Sequence, residues 1–194
     1  KEENKNELIE SFYKNLEFGT GGMRGIIGIG SNKINKYTIG IATEGLSMYL
    51  KKFFNHNIKV AIAYDCRKNS KFYAKISANI FSNHNFKTYL FSSLRPTPEL
   101  SYTIRKLKCD CGIVITASHN PKEYNGYKVY WKDGGQIIHP HDSGIINEIK
   151  KIRSFKKINF SENNKVELID KFIDDSYLNE ITNLSFQKSL NKKT

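Results

Sequence analysis

The sequence predicts an α/β fold in three layers, a mixed and largely parallel sheet flanked by helices. Three observations carry that expectation. The short apolar runs 59-KVAIAYD-65, 87-KTYLFS-92 and 111-CGIVITAS-118 have the length of buried strands. Helix-periodic segments separate them, which is the strand–helix–strand order of a parallel sheet. A polar stretch closes each run: Asp65, Arg67 and Ser70; Arg95 and Thr97; Thr116, Ser118, His119 and Asn120.

Along the chain, Leu8, Ile9, Phe12 and Leu16 recur at helical spacing, so an opening helix is expected over residues 7–17. It stops before 19-GTGGMRG-25, a glycine-rich loop, and 26-IIGIG-30 is apolar enough for a short strand. Ile39, Ala42, Leu46, Tyr49, Leu50 and Phe53 mark a helix over 37–54. Phe72, Ile76, Ile80 and Phe81 mark another over 70–83, with Ser70 as its N-cap. The segment 98-PELSYTIRKL-107 opens with proline at a first helical position. After the third run come the polar loop 119-HNPKEYNG-126, the strand 127-YKVYW-131 and a turn at Asp133-Gly134-Gly135. A helix capped by Asp142 or Ser143 should reach about Lys151, and a last one should cover 171–184. With no repeat, linker or second core-sized segment, residues 1–194 are expected to form a single domain.

Composition narrows the classes. With 194 residues, 39% hydrophobic and 26% charged, the chain suits one soluble domain with a proper core. No apolar run approaches the roughly 20 residues of a membrane-spanning helix. The opening KEENKNELIE is charged and helix-forming, so no secretory leader is expected there, and a first residue other than Met suggests a trimmed chain. Cys66, Cys109 and Cys111 are odd in number and lack C-x-x-C spacing, which fits a reducing cytoplasm, and Cys109 and Cys111 read as core or near-core thiols. The net charge of +12 comes from lysines scattered among Asn and Ile; even the densest run, 150-KKIRSFKK-157, reads as a solvated face, so nucleic acid is not the expected partner. His139 and His141 read as loop residues rather than a metal pair, and Asp110 and Asp133 as turn or strand-edge residues.

Ligands of parallel α/β sheets bind beyond the carboxyl ends of the strands. The residues gathered there, hydroxyls, an imidazole and cations, suit an anion. The loop 116-TASHNP-121 is not a G-x-S-x-G nucleophile elbow. On its residues alone it is either a capping loop, in which Ser118 and Asn120 satisfy backbone groups before Pro121, or the seat of a phosphorylated serine. The second reading needs cations to balance a charge of roughly −2, and Arg24, Arg67, His119 and Lys128 are the candidates. Glycines 19, 21, 22 and 25 would let a backbone approach an anion closely.

The segment 116-TASHNPKEYNGYKVYW-131 closely resembles the active-site serine segment of the α-D-phosphohexomutases. The segment 18-FGTGGMRG-25 is similar to that family's N-terminal arginine loop, and 64-YDCRKNS-70 and 95-RPTPELSY-102 follow in the family's order. The segment 134-GGQIIHPHD-142 is similar to the branch of bacterial and type-2 phosphoglucomutases and phosphopentomutases. The resemblance implies domain I of a four-domain enzyme in which Ser118 gives its phosphoryl group to a hexose phosphate and regains one from the bisphosphate intermediate. Net, a 1-phosphate becomes a 6-phosphate, with glucose the first expectation and pentose or mannose the alternatives. The resemblance also sets Arg24 beside the phosphoserine, Lys128 and His119 near the transferred proton or charge, and Thr20, Gly21, Asn120 and Arg67 in substrate and phosphate binding. It implies Mg²⁺ held mainly by an aspartate-rich loop of a later domain, with Ser118 touching the metal through its phosphoryl group. It implies a sugar bisphosphate as activator. The expected partners are a sugar phosphate and downstream domains, without which this chain should fold but turn over little.

Several residues keep two readings. Lys128 is a general base or a solvated strand lysine; if Tyr127 and Val129 face the core, Lys128 faces away from it. His119 assists proton transfer or orients the loop. Arg67 contacts phosphate or pairs with Asp65. A phosphate- or nucleic-acid-binding module is the non-enzyme alternative for the whole chain.

Overall fold

The computed structural model describes residues 2–184. The three apolar runs become β3 (Lys59–Tyr64), β4 (Lys87–Phe91) and β5 (Cys111–Ile115). Around them lie β1 (Phe18–Gly19), β2 (Gly22–Ile26), β6 (Tyr124–Trp131) and β7 (Glu167–Ile169), giving one sheet in the order β1-β2-β6-β5-β3-β4-β7. β5, β3, β4 and β7 run parallel, whereas β6, β2 and β1 form an antiparallel edge. The helices are α1 (Glu2–Phe12), α2 (Lys36–Phe53), α3 (Ser70–Asn83), α4 (Thr97–Lys106), α5 (His141–Lys151) and α6 (Lys171–Leu184).

Strand alternation sorts the side chains into two cores. Ile62, Ile113 and Val129, aligned across three strands, face Ile39 and Leu46 of α2, Phe81 of α3 and Ile145 of α5. The opposite face presents Ala61, Ala63, Val114 and Tyr130 to Leu100 and Ile104 of α4 and Ile173 of α6. Small residues let α4 come close: a Cβ on Gly112 would stand 2.5 Å from Ile104 Cδ1. With both faces covered, β5 is buried at every residue, as a central parallel strand must be. Leu46 is 0% exposed at the centre of the larger core. Leu46→Ala should lower stability by about 2–5 kcal/mol, read as a lower urea midpoint with an unchanged slope.

Several expectations are corrected. α1 ends at Phe12 rather than at 17, and its Leu8, Ile9 and Phe12 are exposed; Leu16 alone of that set packs against the core. The short strand lies at Gly22–Ile26 instead of 26–30, because these residues pair with β6 over their whole length. β6 itself opens at Tyr124, and β5 stops at Ile115, so residues 116–118 leave the sheet. Ser70 is not the N-cap of α3: Asn69 holds that position at φ 64°, and the Ser70 hydroxyl donates to Asp65 Oδ1 at 2.8 Å. Pro140 precedes α5, leaving Asp142 and Ser143 inside its first turn. β7 and a single 3₁₀ turn at Phe155–Lys157 were not expected. No described helix is long and apolar enough to cross a membrane.

Candidate active site

Beyond the carboxyl end of β5 the chain turns sharply. Thr116 N donates to Gly126 O, Asn120 N donates to Ala117 O at 3.1 Å, and Ser118 at the tip takes φ +55°. For a non-glycine residue that left-handed conformation costs of order 1 kcal/mol and persists only where neighbours over-determine it.

The neighbours are identifiable. Ser118 N donates to Thr116 Oγ1 at 3.0 Å, and Thr116 Oγ1 donates to Asp65 Oδ2 at 2.7 Å. Asp65 Oδ1 accepts from Ser70 Oγ and from Arg67 N. The Arg67 guanidinium then closes the ring: Nη2 donates to Ser118 O and Asn120 O, Nη1 donates to Pro121 O and Tyr124 O, and Nε stands 3.3 Å from Asp65 Oδ2. Of the two roles held open for Arg67, the pairing with Asp65 is present, and four carbonyls are added to it.

The cations come from the antiparallel edge. Arg24 pairs in register with Gly126 and Gly22 with Lys128, which sets Arg24 and Lys128 on the same face of the sheet. Arg24 Nη1 donates to Asn120 Oδ1 at 2.6 Å, tying the arginine to the serine loop. Tyr127 and Val129 are fully buried, and Lys128, between them, points the other way and is half-buried. Burial, reinforced by Arg24, holds the Lys128 amine below the usual lysine value, with Asp65 opposing. Ser118 and His119 are exposed, and among the described residues neither Ser118 Oγ nor the His119 ring makes a hydrogen bond to protein.

Thr20 and Gly21 lie in the turn between β1 and β2. The β1–β2 turn lies level with Val129, whose N–H bonds Gly21 O, three strand residues beyond the Gly126 that faces Arg24. Thr20 Oγ1 contacts Asp142 Oδ2, and Gln136 Nε2 bonds Gly21 O. His141 stacks on Trp131 at 3.9 Å and contacts the Tyr49 hydroxyl through Nδ1, so His139 and His141 do not converge on a metal. Asp110 Oδ2 accepts from Lys59 N and its Oδ1 meets His56, fastening the start of β3. The roles of Asp65 and Thr116 escaped sequence reasoning, since the bond between them spans 51 positions.

Arg95, expected among the cations at this edge, is engaged elsewhere. It forks onto Asp174 of α6 and lies near Asp170 and Glu99. Glu99 is 5% exposed; burial and the facing Asp174 carboxylate push its pKa up to about 7 against the pull of Arg95. The folded chain therefore holds this proton where the unfolded chain releases it, and stability falls as pH rises from about 4.5 to about 7. Glu99→Gln should gain on the wild type in melting temperature as the buffer moves from about pH 5 to about pH 8. An unchanged difference across that range would contradict the assignment.

A cleft of about 630 Å³ between α1 and β2 reaches Arg24 but not Ser118 or Lys128.

The family model for phosphoglucomutase/phosphomannomutase, alpha/beta/alpha domain I, matches residues 15–156. A phosphopentomutase of Mus musculus is 44% identical over 157 residues, covering 76% of this chain and 25% of that protein. A phosphoglucomutase of Staphylococcus aureus (strain MRSA252) is 38% identical over 182 residues, covering 92% of this chain and 33% of that protein. The chain thus spans a quarter to a third of the length of these relatives. A Thermus thermophilus crystal structure assigned to the phosphomannomutases superposes with a TM-score of 0.77 at 24% identity, over 88% of this chain and 36% of that one. The open form of the Paramecium phosphoprotein pp63/parafusin superposes at 0.63 and 19% identity, over 87% and 36%. Both structural likenesses speak to the fold.

Proposed function

This chain belongs to the phosphoglucomutase/phosphomannomutase family as an α/β/α domain I, and we propose that it supplies the phosphoryl-carrying serine of a sugar-phosphate mutase, Ser118. The observation that supports this most is the presentation of Ser118: exposed, held in a strained turn by a closed hydrogen-bond ring, its hydroxyl unengaged among the described residues, beside a face that carries Arg24 and Lys128.

In this reading Ser118 Oγ carries a phosphoryl group at rest. A sugar-phosphate hydroxyl attacks phosphorus in line; the P–Oγ bond breaks as the new O–P bond forms, and the hydroxyl proton passes to a base while Oγ is reprotonated. The bisphosphate turns over, and its other phosphoryl group returns to Ser118 with the same balance. Such transfer needs positioning and charge stabilisation more than covalent machinery. Arg24 supplies fixed positive charge, and Lys128, its amine lowered by burial, is the base. His119 lies next along the chain and faces solvent, where it meets the incoming phosphate.

Glucose phosphate is the proposed substrate and pentose phosphate the second reading, since the relatives carry both names. Further domains of the complete polypeptide complete the cleft, a sugar bisphosphate primes the serine, and three free thiols suit a cytoplasmic setting. Among the described residues no cluster of His, Cys, Asp and Glu can hold a metal ion, and the Asp65 oxygens are already engaged. Mg²⁺ would therefore depend on ligands from elsewhere, with the Ser118 phosphoryl oxygen as the contact from this domain.

A coupled assay of the complete polypeptide, with Mg²⁺ and a bisphosphate primer, compares glucose 1-phosphate with ribose 1-phosphate. Turnover of either supports the proposal and the faster one names the sugar. No turnover of either, with salt-dependent RNA or DNA binding instead, returns the chain to a binding module. In the same assay Lys128→Arg, which stays protonated, should lose about 10²–10⁴ in rate and the alkaline rise that reports Lys128 deprotonation.

A further inference from the structure

Arg67 takes no part in the steps above, yet its whole guanidinium serves the serine loop. Its two Nη atoms reach Ser118 O (2.7 Å), Asn120 O (2.6 Å), Pro121 O (2.8 Å) and Tyr124 O (3.0 Å), while Nε faces Asp65. A guanidinium has five N–H donors in a fixed plane, and here the two Nη atoms make four bonds to carbonyl oxygens while Nε stands 3.3 Å from an Asp65 oxygen. Lysine, with three donors on one atom, cannot reproduce that fork.

Drawing these carbonyls to one side has a consequence on the other. The Ser118–His119 peptide bond is trans; among the described residues the cis bond is His139–Pro140. In a trans peptide the C=O and N–H vectors are antiparallel. With Ser118 O pulled onto Arg67, the His119 N–H is aimed away from Arg67. Among the described residues that N–H makes no hydrogen bond, whereas the flanking donors are taken: Ser118 N by Thr116 Oγ1, and Asn120 N by Ala117 O. The His119 amide is thus the backbone donor left open next to the serine.

We propose that Arg67 is a positioning residue: by capturing the Ser118 carbonyl it fixes the His119 backbone N–H as the hydrogen-bond donor to a phosphoryl oxygen on Ser118. A donor held in place before the charge arrives needs no reorganisation, and a bond from N–H to an anionic oxygen is among the stronger kinds. The idea rests on Ser118 as the phosphoryl carrier.

The test is proton–nitrogen NMR of the 194-residue chain made with phosphoserine at 118, titrated through the second phosphate ionisation near pKa about 6. The His119 amide proton should move downfield as the phosphate gains charge, and the Asn120 amide, already bonded to Ala117 O, should move far less. In Arg67→Lys the His119 movement should shrink to that of Asn120 while the rest of the spectrum stays dispersed. A stationary His119 amide in the wild type, or an equal movement in both chains, overturns the proposal. If the lysine variant does not fold, couplings across the hydrogen bonds from Arg67 Nη2 to the Ser118 and Asn120 carbonyl carbons are measured in the wild type, and their absence overturns it. The titration does not depend on turnover, so a complete polypeptide without mutase activity would sink the proposed function and leave this result standing.

Discussion

Ser118→Ala is expected to abolish the proposed turnover by the complete polypeptide, with a loss on the order of 10⁶-fold, the scale reached when a covalent carrier is removed from a catalytic unit. The fold survives the change. Ser118 Oγ makes no hydrogen bond among the described residues, the bonds holding the turn come from its backbone N–H and C=O, and alanine meets the same φ of +55°. Stability should therefore stay within about 0.5 kcal/mol of the wild type. No neighbouring hydroxyl can substitute: Thr116 is buried and engaged on both sides, accepting from Ser118 N and donating to Asp65. Rates and thermal melts on one preparation separate the cases. Lost activity with an unchanged melt is expected, whereas lost activity with a collapsed melt would point to a structural role for the hydroxyl.

Gly22→Ala is the change expected to harm the fold most. Gly22 sits at φ +143°, a region alanine avoids, and a Cβ there would lie 1.9 Å from Tyr127 O and 3.0 Å from Lys128 Cα. Those atoms are backbone of β6, the neighbouring strand, so no side-chain rotation relieves the clash. Strain and overpacking together predict a loss of about 3 kcal/mol or more, measured by urea unfolding. Activity should fall as well, because Arg24 and Lys128 are aligned by the same pairing of β2 with β6. Gly25→Ala is the milder control: its Cβ would meet the far end of the Leu16 side chain at 2.9 Å. Equal losses in the two variants would contradict this account.

The centre of the sheet was legible because β3 and β5 are short, apolar and almost wholly buried, and β4, though it opens on Lys87 and Thr88, ends in a short apolar run. α6 was legible from its first residue through the last described one although Phe172, Leu178 and Leu184 are exposed, since periodicity reports an amphipathic face whether or not that face is covered. β2 was not legible. Its glycines read as a loop, and what makes it a strand is a ladder to β6 about a hundred residues later. The site divides in the same way. Ser118, Arg24 and Lys128 stood out as chemical groups within a motif. Arg67 was legible as a partner of Asp65, but its other acceptors are backbone carbonyls, which carry no residue signature.

The central claim is that Ser118 holds the phosphoryl group. The most direct measurement incubates the complete polypeptide with a sugar bisphosphate labelled in its phosphate, maps the labelled peptide by mass spectrometry, and then chases with unlabelled sugar monophosphate. The account predicts one phosphoryl group on the peptide containing Ser118, lost to the sugar on the chase. Label on another residue, or label on Ser118 that the sugar cannot remove, would contradict it.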